Sequence, residues 1–217
     1  MALSKITTES LLDGEITLAK FGNLGSDGQV LTSTGGSSPP AFEAAGGGAW
    51  NLVATSTASN SASLDITGLS ATYTTYACVF SNILPATDDV TLGMRIGDSS
   101  GFKSDTAYET HNQKNVNTAH FAYDARTGSN TYWGICEAVG NATGEGAGAT
   151  VFLNCRGTRK PSMYGMNHSH NTSGAGKGGI VFGDYTTSVV TVDRVQIFVH
   201  SGNLTSGTFS VYGIAHA

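Results

Sequence analysis

The residues best placed to do chemistry in this 217-residue chain are His168 and His170, in the run Asn167-His168-Ser169-His170-Asn171. On a strand, side chains at i and i+2 project to the same face, so both imidazoles could meet one metal ion. Two ligands do not close a site. Three copies on a threefold axis would supply six nitrogens, a set that suits a first-row divalent metal. The competing reading is a pair of solvated loop histidines, and no metal or other cofactor is expected. The run around Lys177, "GAGKGG", has the composition of a phosphate loop without the Walker spacing or the Ser or Thr that follows the lysine. Asp88, Asp89, Asp98 and Asp105 could offer oxygens to calcium, but no EF-hand register is present and turn-forming Asp is the default. No GxSxG occurs. Asp105, Glu109, Glu137 and Glu145 show no pairing of the kind glycoside hydrolysis needs. The chain is read as a non-enzyme.

Binding chemistry is the stronger expectation. Phe102, Tyr108, Tyr132, Trp133 and Tyr164 stand among Gly, Ser, Asn and Thr. Aromatic faces flanked by amides and hydroxyls suit sugar rings, which offer C–H faces and hydroxyl rims. The rival reading places at least half of these rings in the core. With His111, Asn112, His168, His170 and Asn171 they form the expected receptor-binding set. Most of them fall in 102–120 and 163–179; within and beside these, 97–120 and 168–179 read as long loops on a rigid scaffold, and "SMYGMNH" at 162–168 as a strand-type run.

That scaffold is expected to be all-β. After Trp50, short runs such as "WNLVAT", "TYACVFSNIL", "VTLGMRIG" and "ATVFLNCRG" alternate with turn clusters, and no stretch keeps a helical period with caps. In "VDRVQIFVH", Val195, Ile197 and Val199 share one face; in "TFSVYGI", Phe209, Val211 and Gly213 do. Strands of unequal length favour a two-sheet sandwich of jelly-roll type. Residues 1–48 differ. Ile6, Leu11, Leu12, Ile16, Leu18, Phe21, Val30, Leu31 and Phe42 are scattered anchors, Asp27-Gly28 is a hairpin-type turn, and Pro39-Pro40 forbids helix. The piece is too small for its own core, and Gly46-Gly47-Gly48 reads as a hinge to a domain at 49–217.

Composition narrows the partners. Only 12 % of residues are charged and the net charge is −5, so faces can be buried against copies of the chain without stranding ions. Arg156, Arg159 and Lys160 form the one basic cluster, far short of a nucleic-acid stripe. No apolar run reaches the ~20 residues that span a membrane. The N-terminus lacks a signal peptide's apolar core. With Cys78, Cys136 and Cys155 each inside an apolar run, buried free thiols and assembly in a reducing cytosol are expected.

The segment "LGSDGQVLTSTGGSSPPAFEAAGGGAW" resembles one found in bacteriophage tail-fibre and related virion proteins, where it precedes a C-terminal β-domain. "ITTESLLDGEITLAKFGNLG" is similar to the units that often stand before it. "YTTYACVFSNILPATDDVTLGMRIG" and "VQIFVHSGNLTSGTFSVYGIA" resemble early and closing strands of that domain. The resemblance covers about half of the 217 residues. It implies a homotrimer with a structural or adhesive role and no catalytic residues. Residues 1–48 would then be a docking and trimerisation arm contacting other virion proteins of tail or capsid. Residues 49–217 would be a jelly-roll-like head meeting host surface polysaccharide, on a particle assembled in the host cytoplasm. Three weak hairpins could share an apolar core that one copy cannot make. A capsid decoration or head fibre is the alternative, because the arm holds one such unit; a glycan-degrading enzyme is the third reading.

Overall fold

The computed structural model describes residues 26, 29–32, 41–44, 48–116, 119–155 and 158–215. The chain divides into two units, Met1–Gly47 and Gly48–Ala217. The arm anchors Ile6, Leu11, Leu12, Ile16, Leu18 and Phe21, with Asp27-Gly28, lie outside the described residues.

In the first unit, β1 (Gln29–Thr32) pairs antiparallel with β2 (Ala41–Ala44), with Leu31 opposite Phe42. Thr32 Oγ1 donates to Glu43 Oε2 at 2.7 Å across the pair. Two four-residue strands cannot enclose a core. Val30 and Leu31 stay 44 % and 56 % exposed, and Phe42 is half-buried.

The second unit has thirteen strands and, among the described residues, no helix. They are β3 (Trp50–Thr57), β4 (Leu64–Thr67), β5 (Thr75–Pro85), β6 (Val90–Asp98), β7 (Gly101–Phe102), β8 (Tyr108–Val116), β9 (Ala119–Asn130), β10 (Trp133–Val139), β11 (Ala147–Asn154), β12 (Ser162–His170), β13 (Gly176–Tyr185), β14 (Arg194–Val199) and β15 (Leu204–Ile214). The larger sheet runs β3-β15-β5-β11-β12-β13-β8-β9 and the smaller β10-β6-β14-β4, with β7 added beside β6. Every pairing is antiparallel. Eight strands nest: β3 pairs β15, β4 pairs β14, β5 pairs β11 and β6 pairs β10.

One core draws on both sheets. Alternation sends Val195, Ile197 and Val199 of β14, and Phe209 and Val211 of β15, to the inside, as their spacing predicts. Leu92, Met94 and Ile96 of β6 lie beside Val199, Ile197 and Val195 in the smaller sheet and are buried with them, and Phe80 stacks on Phe209 with ring centroids 5.1 Å apart. Cys78, Cys136 and Cys155 are buried thiols outside any disulfide. Desolvation pushes the Cys136 thiol up to about 12 and Cys78 higher still.

The run 162–168 is the body of β12, as its pattern predicts, but the two expected loops are largely strand: most of 97–120 forms the end of β6, β7, β8 and the start of β9, and most of 168–179 forms the end of β12 and the first residues of β13. β12, β13, β8 and β9 extend the larger sheet beyond β11. Several of their polar side chains point inward and bond to β10. Gly134 N–H donates to Thr110 Oγ1 at 3.1 Å, Asn112 Nδ2 donates to Gly134 O at 3.3 Å, and Asn167 Nδ2 donates to Ile135 O at 2.7 Å. Lys177 Nζ donates to the carbonyls of Glu137 and Ala138 at 2.8 and 3.0 Å.

Trp133 locks this corner. It is fully buried, donates Nε1–H to Asp184 O at 3.1 Å and meets Tyr108 edge-on at 5.1 Å. A Cβ on Gly183 would lie 2.7 Å from its ring, so only glycine fits beneath it. Trp133→Ala is expected to cost about 4 kcal/mol and lower Tm by roughly 10 °C, read by thermal circular dichroism; an unchanged Tm would refute this packing role. Thiol titration checks the core separately: no cysteine should react in the native protein, and all three should react in denaturant.

Candidate functional site

Pairing aligns one row of residues across the whole larger sheet. It runs Leu52, Tyr212, Ala77, Phe152, Tyr164, Phe182, His111 and Ala125. Leu52, Tyr164 and Phe182 project to solvent, and Met166 and Ile180 form the adjoining row on β12 and β13. Trp50 lies edge-on to Phe152 at 5.7 Å and tilted to Tyr212 at 5.8 Å, while Phe152 stacks on Tyr164 at 5.4 Å. Ala77, between Tyr212 and Phe152 in register, is wholly buried and small enough to let the flanking rings approach. A depression of about 250 Å³ opens between Phe152, Tyr164, Met166, Ile180 and Phe182. Among the described side chains of these two rows there is no Lys, Arg, Asp or Glu. The face is an aromatic and aliphatic band.

The histidine pair continues that face along β12. His168 and His170 stand on the same side, as i and i+2 spacing predicts, with ring centroids 4.8 Å apart and planes near perpendicular. His168 is opposite Gly148 on β11 and Gly178 on β13, and His170 is opposite Gly176. With no side chain on those neighbours, the imidazoles line a depression of about 460 Å³ with Ser81, Asn82 and Glu145. Glu145 Oε2 accepts a hydrogen bond from Ala142 N–H at 2.9 Å. Among the described residues no group of three or more His, Cys, Asp or Glu is placed to hold a metal. What one chain offers here is a polar groove with imidazole, amide, hydroxyl and carboxylate hydrogen-bonding groups.

The remaining expected contacts disperse. Tyr108 and Trp133 are fully buried and Asn112 is 3 % exposed, which removes these three from direct receptor contact. Thr110, between Tyr108 and Asn112 on the same inward face, is turned toward β10, where its Oγ1 accepts from Gly134 N–H. Tyr108 OH donates to Lys103 O at 3.0 Å and accepts from Ile96 N–H at 3.2 Å. Tyr132 and Phe102 belong with the smaller sheet instead. Tyr132 lies edge-on to Phe198 at 5.3 Å, the Arg95 guanidinium sits 4.3 Å from the Phe198 centroid, and Arg194 is 6.0 Å from Phe102. Asn171 ties the β12–β13 turn. Its Oδ1 accepts from Ser173 N–H, Ser173 Oγ–H and Ala175 N–H at 3.1, 3.0 and 2.9 Å.

The structure therefore brings Tyr164, His168 and His170 together on β12, with His111 beside Phe182 in the same sheet. Trp50, Leu52, Phe152, Met166, Ile180 and Phe182 were absent from the expected set. A signal for them exists. β11 and β13 carry apolar residues on both faces, Val151 and Leu153 inward with Phe152 outward, Val181 inward with Ile180 and Phe182 outward. A strand apolar on both sides is one that expects cover on both.

No family model, curated protein or solved structure matches the chain.

Asn171→Ala removes the acceptor of three hydrogen bonds and is expected to cost about 2 kcal/mol. Tm should fall by several degrees, and amide exchange at 171–177 should quicken while the core stays protected. Unchanged exchange there would show that Asn171 does not hold the turn.

Proposed function

We propose that this chain is a structural protein of a bacteriophage virion: a short trimeric tail fibre, not an enzyme, assembled in the host cytoplasm. Residues 1–48 attach it to the particle, and the β domain meets host surface polysaccharide. The motifs quoted above favour this reading. So does the nested pairing of eight strands, first with last and second with seventh, which is the wiring of a long hairpin rolled into a jelly roll with two extra hairpin segments added. The observation that carries the proposal is the β1–β2 hairpin within the "LGSDGQVLTSTGGSSPPAFEAAGGGAW" segment. It is two short strands that leave Val30 and Leu31 uncovered, and an isolated hairpin of that size is marginal in water. Copies of itself and other virion proteins are the partners that would complete it.

For polysaccharide, the groove beside His168 and His170 is the best-suited surface. Its hydroxyl, amide, imidazole and carboxylate groups match a sugar's hydroxyl rim. Tyr164 and His111 border the same sheet face and extend it.

Deletion of residues 1–45 is expected to leave a folded β domain that is missing from purified particles. Circular dichroism and electrophoresis of complemented virions read the two halves of that statement. Normal incorporation of the truncated chain would remove the docking role. Copy number in the same gels locates the protein: a few per particle indicates a tail fibre, whereas near-equality with the major capsid protein indicates shell decoration or a head fibre.

A further inference from the structure

We infer that a second copy of this chain packs on the outer face of the larger sheet, along the band from Trp50 and Leu52 over Phe152 and Tyr164 to Ile180 and Phe182. The inference deepens the multi-copy reading above, and rests on it, by assigning the contact surface. Leu52 is 59 % exposed, Met166 69 %, Trp50 and Phe182 46 %, Tyr164 45 % and Ile180 41 %. With each side chain offering about 150–250 Å² when open, the uncovered area is on the order of 600 Å². That stands at the top of the roughly 300–600 Å² of the largest patch on a typical monomer. It approaches the roughly 800 Å² each partner contributes to a stable interface of standard size.

The chemistry of the band selects a copy of itself. When like surfaces meet, any charge faces or neighbours its own kind, so a self-contact requires a face without ions. The two central rows meet that requirement among their described side chains, and the acids of this face, Asp184 and Glu109, fall one row away at the rim. Nucleic acid and anionic lipid both require cations, which the band lacks. A polysaccharide requires hydrogen-bonding groups along its length, and the hydroxyls of Thr150 and Tyr164 are the polar side-chain groups lining the 250 Å³ depression. The polar groove for a sugar lies further along β12, at His168 and His170, so one sheet carries both surfaces without overlap of their central residues. The band is also preformed. Trp50, Tyr212, Phe152 and Tyr164 are already held against one another at 5.4 to 5.8 Å, so these rings have little side-chain freedom left to lose on contact.

Sedimentation velocity of the full chain at micromolar concentration tests this. The native protein is expected to sediment as a multiple of its 22.3 kDa subunit. The double variant Met166→Lys/Ile180→Lys places charges at the centre of the band and should sediment as a single subunit with an unchanged far-ultraviolet circular dichroism spectrum. Gln196→Lys, on the smaller sheet where Gln196 bonds Asp65, should assemble as the native chain does. If the double variant misfolds, Leu52→Lys, at the edge strand, carries the same expectation. Charged variants that assemble like the native chain would overturn this surface while leaving the multi-copy reading intact. A native chain that is a single subunit would overturn both. A single-subunit chain whose polysaccharide binding is lost in the double variant would hand the band to glycan instead.

Discussion

The edge of β10 is the constraint on which the rest of the domain depends. β10 is the outermost strand of the smaller sheet, paired on one side with β6. A buried strand edge needs partners for its N–H and C=O groups, because each one stranded costs about as much as a lost hydrogen bond. Here the partners are side chains that cross from the larger sheet: Thr110 and Asn112 to Gly134, Asn167 to Ile135, and Lys177 to Glu137 and Ala138. The strands that carry them, β8, β12 and β13, are those that extend the larger sheet past the nested eight. Their inward side chains are what meets the edge of β10.

Sealing a polar edge inverts the usual polarity of those strands. Thr110, Asn112, Asn167 and Ser169 are turned inward, where three of them bond to β10. The outward positions of β12 and β13 are then taken by Tyr164, Met166, Ile180 and Phe182. In β14 and β15 the ordinary arrangement holds, with Val195, Ile197, Phe209 and Val211 inside. The apolar band thus follows from the same device that closes the core. It joins Phe152, Trp50 and Tyr212 through pairing register alone, and no loop need fold to build it.

Different parts of the molecule were legible in the sequence to different degrees. All-β character was plain, and so were the inner faces of β14 and β15, because strict alternation against an apolar core writes period two into the residues. The shared face of His168 and His170 followed from spacing. The two supposed loops misled because their Asn, Thr, Ser and Gly content is that of turns, and only a partner strand reveals that an inward Asn112 or Asn167 has a carbonyl to bond. Tyr108 and Trp133 misled because polar neighbours in sequence do not tell which face of a strand a ring takes, so a buried ring looked like an exposed one.

By itself, then, the sequence determined fold class, the faces of its regularly alternating strands, the low charge that permits burial against another surface, and the burial of three thiols. These are local or compositional properties, carried by each segment wherever it lies. The tertiary structure alone decided which strands become neighbours, and so which rings form one surface. Leu52 and Phe182 are 130 residues apart in the chain but share one row. Register across strands is a relation between distant segments, and no segment carries it alone.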